Sequence, residues 1–520
     1  MKQFIKKCIR KFGSIANKSL LQELGQMQER QRQEYQVQTE ALRQEYQAQM
    51  TALRQEHQAQ TEALRQEYQT QMTALRQEHQ AQTEALRQEH QAQTEALKQE
   101  HQAQANSLIY KIDLLEKKQL IYETQNHYRH VRQNILERMS QGKKLRFASY
   151  VVYDSVFGAK GIVDLMLKEP EKYDIKFVVC PDVYRDMDGL KQYHKTKDFL
   201  TELYGKDNVL DGYDENRKEF VDWSDSFDVV YMANPYDVLV NRVHGIRYMS
   251  TRNVLPFFIC YGYIVSKWFM KEFVSSTECS LLYKYFVETK HTELECSEYQ
   301  IAEGRNIILS GYPKMDALAG LPEVKNSRKK ILIAPHHTVK GMGDADYLQL
   351  SNFMDYSDFI LELPDLYPQA DFVFRPHPLL FKNLLMKNFW TQEQVDSYIE
   401  KIQSKKNVVY STESEYLHLF RECDALIHDC GSYMVEWLYT GKPCCYVVET
   451  EEHTRNQLSR LCNEALGLHT EIADSKEKIS DFISRVLNDE FQVHIDESVK
   501  RRIMVNYPNS SQFIFENLLK

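Results

Sequence analysis

No CxxC pair and no Cys/His grouping at zinc spacing occurs among the ten cysteines of this 520-residue chain. That argues against a structural zinc site and for reduced, mostly buried thiols in a cytosolic protein. No secretory leader is legible either. Lysines break every apolar run of "MKQFIKKCIRKFGSIANKSLL", so the start lacks an h-region. The longest apolar run, "VLPFFICYGYIV" at 254–265, has twelve residues. A span needs ~20, so this stretch reads as a buried strand. Positive charge is not in excess: the net charge is −9 and the pI about 6.1, which excludes the whole chain as a nucleic-acid binder. No DxD or comparable carboxylate pair offers itself to Mg²⁺, so neither a metal nor a cofactor is expected.

What is present falls into unlike segments. Residues 1–22 predict a basic amphipathic helix. Phe4, Ile5, Cys8, Ile9, Phe12 and Ile15 recur at helical spacing among lysines and one arginine, and no acid precedes Glu23. Such a helix suits an anionic inner leaflet, which would make the protein cytoplasmic and peripherally membrane-associated. A helix docked on the protein's own body is the alternative.

Segment 23–104 is a repeat. Six copies of an eleven-residue unit, such as "QTEALRQEYQA", fill 38–103 without Gly or Pro. Leu42, Leu53, Leu64, Leu75, Leu86 and Leu97 form one column, with a Tyr or His four residues after each. Eleven residues in three turns predict a straight or slightly right-handed coiled coil, here with a thin seam. An oligomerising stalk, reaching about 100 Å at ~1.5 Å per residue, is expected over a lone solvated helix. A homo-oligomer follows from that expectation. Segment 105–143 is a more apolar connecting helix.

From 144 onward apolar strands alternate with helix-length pieces. Strands are predicted at 145–153, 174–182, 227–235, 254–262 and 306–313. After the basic linker "KNSRKK" they resume at 331–338, 371–378, 407–411, 425–430 and 443–448. Strands this apolar argue for parallel sheets covered on both faces. The expected fold is therefore α/β, with two facing Rossmann-like domains at 144–325 and 326–520 and a ligand cleft at the carboxyl ends of the strands.

Polar residues gather at those ends in the second half: "PHHT" after 331–335, "RPHP" at 375–378 and "DCGS" at 429–432. Parallel strands aim all three tips the same way, so His336, His337, Arg375, His377, Asp429 and Ser432 are candidates for one site. Gly431 permits a tight turn, and the amides opening the next helix suit an anion. Glu436, one turn on, suits the paired hydroxyls of a ribose. An ordinary helix cap is the plainer reading of this turn.

"GYPKMD" (311–316), "ILIAP" (331–335), "RPHP" (375–378), "HDCGSYMVE" (428–436) and "GKP" (441–443) occur in this order. The set resembles the CDP-glycerol glycerophosphotransferases, the teichoic-acid-polymerase-like enzymes of bacterial wall and capsule synthesis, over roughly 145–515. The resemblance implies a GT-B fold. It also implies transfer of glycerol phosphate from CDP-glycerol to a hydroxyl of a lipid-linked or polymeric glycan acceptor, releasing CMP. On this resemblance His377 contacts or protonates the donor pyrophosphate. Arg375, Asp429, Gly431, Ser432, Glu436 and Lys442 lie on the donor side, with Gly431 where the family has a serine.

The family's His-Gly element falls on Tyr261 and Gly262, the acceptor side. Tyrosine, with a pKa near ~10, is a poor base at neutral pH. The base role is therefore expected at His336 or His337, and the donor becomes open to another identity. A GT-B glycosyltransferase using a UDP- or CMP-sugar is the second expectation. A coiled-coil scaffold with an inactive transferase-like domain is the third.

Overall fold

The computed structural model describes residues 2, 3, 6, 25, 29, 32, 35, 37, 39–63, 76–341, 348–413 and 415–520. The basic segment 1–22 lies outside the described residues apart from Lys2, Gln3 and Lys6, as do Leu64 and Leu75 of the repeat column.

The repeats are helical over 39–63 and within the long helix Arg76–Ser140. Their seams meet inside one chain. His57 Nε2 lies 3.0 Å from His90 Nδ1, and the Tyr46 and His101 rings are 4.8 Å apart. Rising numbers on one helix meet falling numbers on the other, so the two run antiparallel. The expectation of one straight reach of about 100 Å is corrected accordingly. A repeated seam is complementary to itself, so the chain can cover it by folding back. The cover is thin, since Leu42, Leu53 and Leu86 remain 44–48% exposed.

The long helix ends against an α/β body. Tyr128, Val131 and Ile135 share one helical face and enter the core that contains Leu145 and Phe147. Arg138 and Arg146 both reach the buried Asp228 carboxylate, at 2.5 and 2.6 Å.

Seven parallel strands make the first sheet, in the order β3-β2-β1-β6-β7-β8-β9. They are β1 (Leu145–Val151), β2 (Tyr173–Val179), β3 (Val209–Asp211), β6 (Val229–Met232), β7 (Leu255–Ile259), β8 (Lys284–Val287) and β9 (Ile307–Leu309); β4 (Tyr213–Asp214) and β5 (Glu219–Phe220) form a small hairpin beside them. The second sheet has six parallel strands in the order β12-β11-β10-β13-β14-β15. These are β10 (Lys330–Ala334), β11 (Asp371–Phe374), β12 (Val408–Tyr410), β13 (Ala425–His428), β14 (Cys444–Val447) and β15 (Glu471–Ala473). In both sheets the chain winds outward from a central strand and then crosses to wind the other way. That is the doubly wound pattern, with a crevice at the reversal.

The strands are buried on both faces, as their apolar runs require. Core residues fill both sides of the first sheet and of the second. The helix Glu497–Ile503 packs under the second sheet through Val499 and Ile503. The next helix, Ser510–Asn517, returns to the first sheet, where Ile514 and Leu518 join Phe147 and Ile162. The Asp316 carboxylate accepts the amides of Ser510 (3.1 Å) and Ser511 (2.7 Å), which caps this returning helix. Two facing doubly wound domains crossed by a returning C-terminal helix constitute the GT-B arrangement.

Among the described residues no helix is long and apolar enough to cross a membrane. Nine cysteines, Cys180 to Cys462, are buried free thiols.

Candidate active site

The reversal in the second sheet lies between β10 and β13. The loops leaving β10, β11 and β13 therefore share one edge, and they carry the residues singled out by sequence. His336, His337 and His377 come together. Their ring centroids are 4.2–5.2 Å apart, and one nitrogen from each lies within 4.8 Å of the others.

Hydrogen bonds fix how these rings are used. Leu379 N donates to His377 Nδ1 at 3.1 Å. Asn383 Nδ2 donates to His337 Nδ1 at 2.9 Å. Thr338 Oγ1 stands 2.8 Å from His336 Nδ1 and accepts from Leu350 N, so its proton is free for the ring. A neutral ring that accepts at Nδ1 carries its proton on Nε2.

Burial keeps all three rings neutral. It holds His337 down at about 4. It holds His377 at about 3, with help from His337 and Arg375. His336 is pushed well below the usual value by burial first and by its neighbouring histidines second. The cluster thus offers N–H donors.

This corrects the expectation that His336 or His337 takes the acceptor's proton. The Nδ1 atoms are occupied, and a ring near 4 is a weak base at neutral pH. The same arrangement bears on metals. A metal-bound imidazole gives its other N–H to an acceptor, whereas His337 and His377 face donors there. Among the described residues these three could hold a divalent ion, and their surroundings suit an anion better.

Asp429 organises the loop from beneath. It is buried and accepts the amides of His336 (2.5 Å) and Asn352 (2.7 Å). Burial nevertheless pushes its carboxyl up to about 6.

Arg375 is 7% exposed. Its Nε donates to Tyr433 Oη at 3.1 Å and one terminal nitrogen to Ser411 Oγ at 3.0 Å. The guanidinium also lies 5.1 Å from the Tyr416 ring centroid. Among the described residues it pairs with no carboxylate. A buried cation without a counter-ion is costly unless a ligand supplies one.

The turn after β13 differs in part from expectation. Its helix, Tyr433–Glu436, is one turn long, and Ser432 makes no side-chain cap bond. The amides of Met434, Val435 and Glu436 already bond to Gly431 and Ser432 carbonyls. The dipole of so short a helix is feeble. The turn matters more as a contact. A Cβ on Gly262 would fall 2.8 Å from Ser432 Oγ, and one on Gly431 would fall 2.7 Å from Val265 Cγ2. Glycine at both positions lets the first domain's segment after β7 close onto the second domain.

Two further candidates are engaged by the protein itself. Glu436 is 1% exposed and accepts from Tyr416 Oη at 2.5 Å, while that oxygen accepts from Lys314 Nζ at 2.7 Å. A ribose would have to displace Tyr416. Lys442 donates to the carbonyls of Phe420, Arg421 and Cys423 at 2.8–3.0 Å. It caps the end of helix Leu417–Glu422, which corrects its expected place on the donor side. Tyr261 meets Tyr236; the residue is 37% exposed, while the enclosure of its hydroxyl and the Cys260 thiol push that group above its ordinary value.

Sequence reasoning missed Thr338, Asn352, Asn383, Ser411, Tyr416 and Tyr433. Lys314 stood in plain view within "GYPKMD" without a role.

The domain pairing and the common edge define a GT-B body with an anion-suited cleft. No family profile matches the chain, and no curated protein does. Among solved structures the chain is similar to the UDP-GlcNAc 2-epimerase of Methanocaldococcus jannaschii, at 14% identity and TM-score 0.47, over 73% of this chain and 100% of that one. It is similar to the UDP-GlcNAc 2-epimerase of Neisseria meningitidis bound to UDP-GlcNAc, at 15% and 0.43, over 72% and 100%. It is also similar to the wall teichoic acid polymerase TagF, at 12% and 0.43, over 78% and 97%. The fold assignment stands on the strand order itself.

Proposed function

We propose that the protein is a transferase that moves glycerol phosphate from CDP-glycerol to a hydroxyl of a lipid-linked or polymeric glycan acceptor. The observation that carries this reading is Arg375, a buried cation without a carboxylate partner, beside three neutral imidazoles whose pinned Nδ1 atoms leave N–H groups to give. The acceptor oxygen attacks the phosphorus that bears glycerol and gives up its proton to solvent water as the new P–O bond forms. The bond from that phosphorus to the bridging oxygen breaks, and CMP leaves with the bridging oxygen. Arg375, His377 and His337 stabilise the charge that grows on the leaving phosphate. No metal and no other cofactor enters this reading. The site is cytoplasmic, with the basic amino-terminal helix at the inner leaflet and the leucines left exposed on the folded-back repeats joining copies of the chain.

A second reading, a glycosyltransferase with a UDP- or CMP-sugar donor, is favoured by Tyr261, which stands where the resembling family has histidine and is held protonated.

Calorimetric titration with CDP-glycerol, CDP and UDP-sugars separates the readings. CDP-glycerol is expected to bind, and Arg375→Met or His377→Ala to weaken binding about 10- to 100-fold, as loss of one hydrogen bond to a charged group implies. Binding of UDP-sugars alone would select the second reading. Unchanged affinity in both variants would remove the site.

A further inference from the structure

The segment Tyr261–Ser266, which follows β7, joins the two halves of the cleft, and its middle is gripped from both sides. On the second-domain side Ser459 N donates to Val265 O and Ser459 Oγ to Ile264 O, both at 2.7 Å. Tyr263 Oη donates to Tyr439 Oη at 2.7 Å. On the first-domain side Ile264 N donates to Glu288 Oε1 at 3.1 Å, and Thr292 Oγ1 donates to the same oxygen at 2.8 Å. Ile264 therefore has its amide on one domain and its carbonyl on the other. Glu288 sits just past the end of β8 and is 1% exposed, and its Oε2 has no partner. Two residues before Ile264, Gly262 meets Ser432 with no room for a Cβ.

We propose that Glu288 is a positioning residue that locks segment 261–265 against the second domain while protonated and loosens it on ionising, thereby setting the spacing between Gly262 and Ser432. The reason is the company it keeps. The ionisable groups around it are Glu295 on helix Lys290–Tyr299, Tyr285 on β8, Tyr312, and the thiols of Cys260, Cys296 and Cys462. None of them is a cation. Arg460 faces Glu295 through its amide and pairs bidentately with Glu298, so its charge is spent elsewhere. An ionised Glu288 thus has two hydrogen-bond donors on one oxygen and nothing on the other. Opening the segment admits water to it. Burial holds the carboxyl up to about 7 in the closed form, against an ordinary glutamate near ~4.3 when open. The closed form therefore binds the proton more tightly. Closure is fully favoured below about 4.3, loses ground as pH rises from there to about 7, and changes no further above it.

The inference rests on the fold and not on the donor, so its test needs no substrate. Hydrogen exchange of the amides in 261–267 is followed on the full chain between pH 4 and 9, corrected for intrinsic rates. In the wild type, protection is expected to fall about 10-fold per pH unit between about 4.3 and 7 and to level off above that, a few hundred-fold down in all. E288Q keeps an acceptor for Ile264 without a charge, and its protection should stay flat. T292V removes one donor to Oε1 and should move the levelling-off of the fall to higher pH. S459A should leave exchange fast at every pH. A pH-independent wild type, or E288Q tracking the wild type, overturns the proposal. Should E288Q fail to fold, T292V decides: a levelling-off at unchanged pH overturns it as well.

Discussion

Lys442→Met tests whether the lysine of "GKP" holds the fold or a ligand. Its ammonium gives one hydrogen bond each to the carbonyls of Phe420, Arg421 and Cys423, at 3.0, 2.8 and 2.8 Å. These carbonyls belong to the unsatisfied end of helix Leu417–Glu422. Each bond to a charged donor contributes about 1.5–3 kcal/mol. Three from one ammonium do not add in full, and burial, which pulls the lysine below its ordinary value, returns part of the gain on removal. The net loss is about 2–4 kcal/mol, or roughly 4–16 °C in melting temperature for a domain of this size. Trp437 is a built-in reporter, because its indole N–H donates to the carbonyls of Lys442 and Pro443 and the ring is fully buried. Thermal unfolding followed by Trp fluorescence is the assay, with nucleotide affinity measured in parallel on the folded variant. A melting temperature within 1–2 °C of wild type, together with a tenfold or greater loss of nucleotide affinity, would refute the capping argument and restore Lys442 to the donor side.

Two further outcomes are expected. Asp429 keeps its proton to about 6 in the fold but releases it near ~3.9 when unfolded, so its ionisation subtracts up to about 3 kcal/mol as pH rises across that window. The stability of wild type relative to D429N should therefore fall between pH 4 and 6.5, and a constant difference would contradict the burial argument. Asp316→Ala removes the acceptor for the Ser510 and Ser511 amides; it should cost about 1–2 kcal/mol and expose the 505–510 stretch to limited proteolysis, and unchanged cleavage would count against the cap.

Much of the second sheet was legible because its strands are buried on both faces and so read as apolar runs. Ile331–Ala334 and Ala425–Ile427 are such runs, and their polar successors stood out against them. The strands that escaped notice lack that contrast. Val209–Asp211 and Glu471–Ala473 are three-residue edge strands with half-buried, partly acidic sequences. Lys284–Val287 opens on a lysine that the fold buries against the Asn517 carbonyl. At the cleft, His336, His337 and His377 could be nominated from strand tips alone. Their protonation could not, since it depends on Asn383, forty-six residues from His337, and on the Leu379 amide. Lys442 was misplaced for the same reason, because nothing in "GKP" reveals which carbonyls lie within reach.

The returning helix makes the order of manufacture matter. The first sheet begins at Leu145, yet Ile514 and Leu518 are part of its interior. A nascent chain that has produced all seven of its strands still lacks a wall of that core, and the gap persists while the second sheet is synthesised. Until the last turn of helix leaves the ribosome, the amino-terminal body waits with apolar surface uncovered and open to misassociation. A chain cut short after residue 505 would thus damage the half of the molecule farthest from the break.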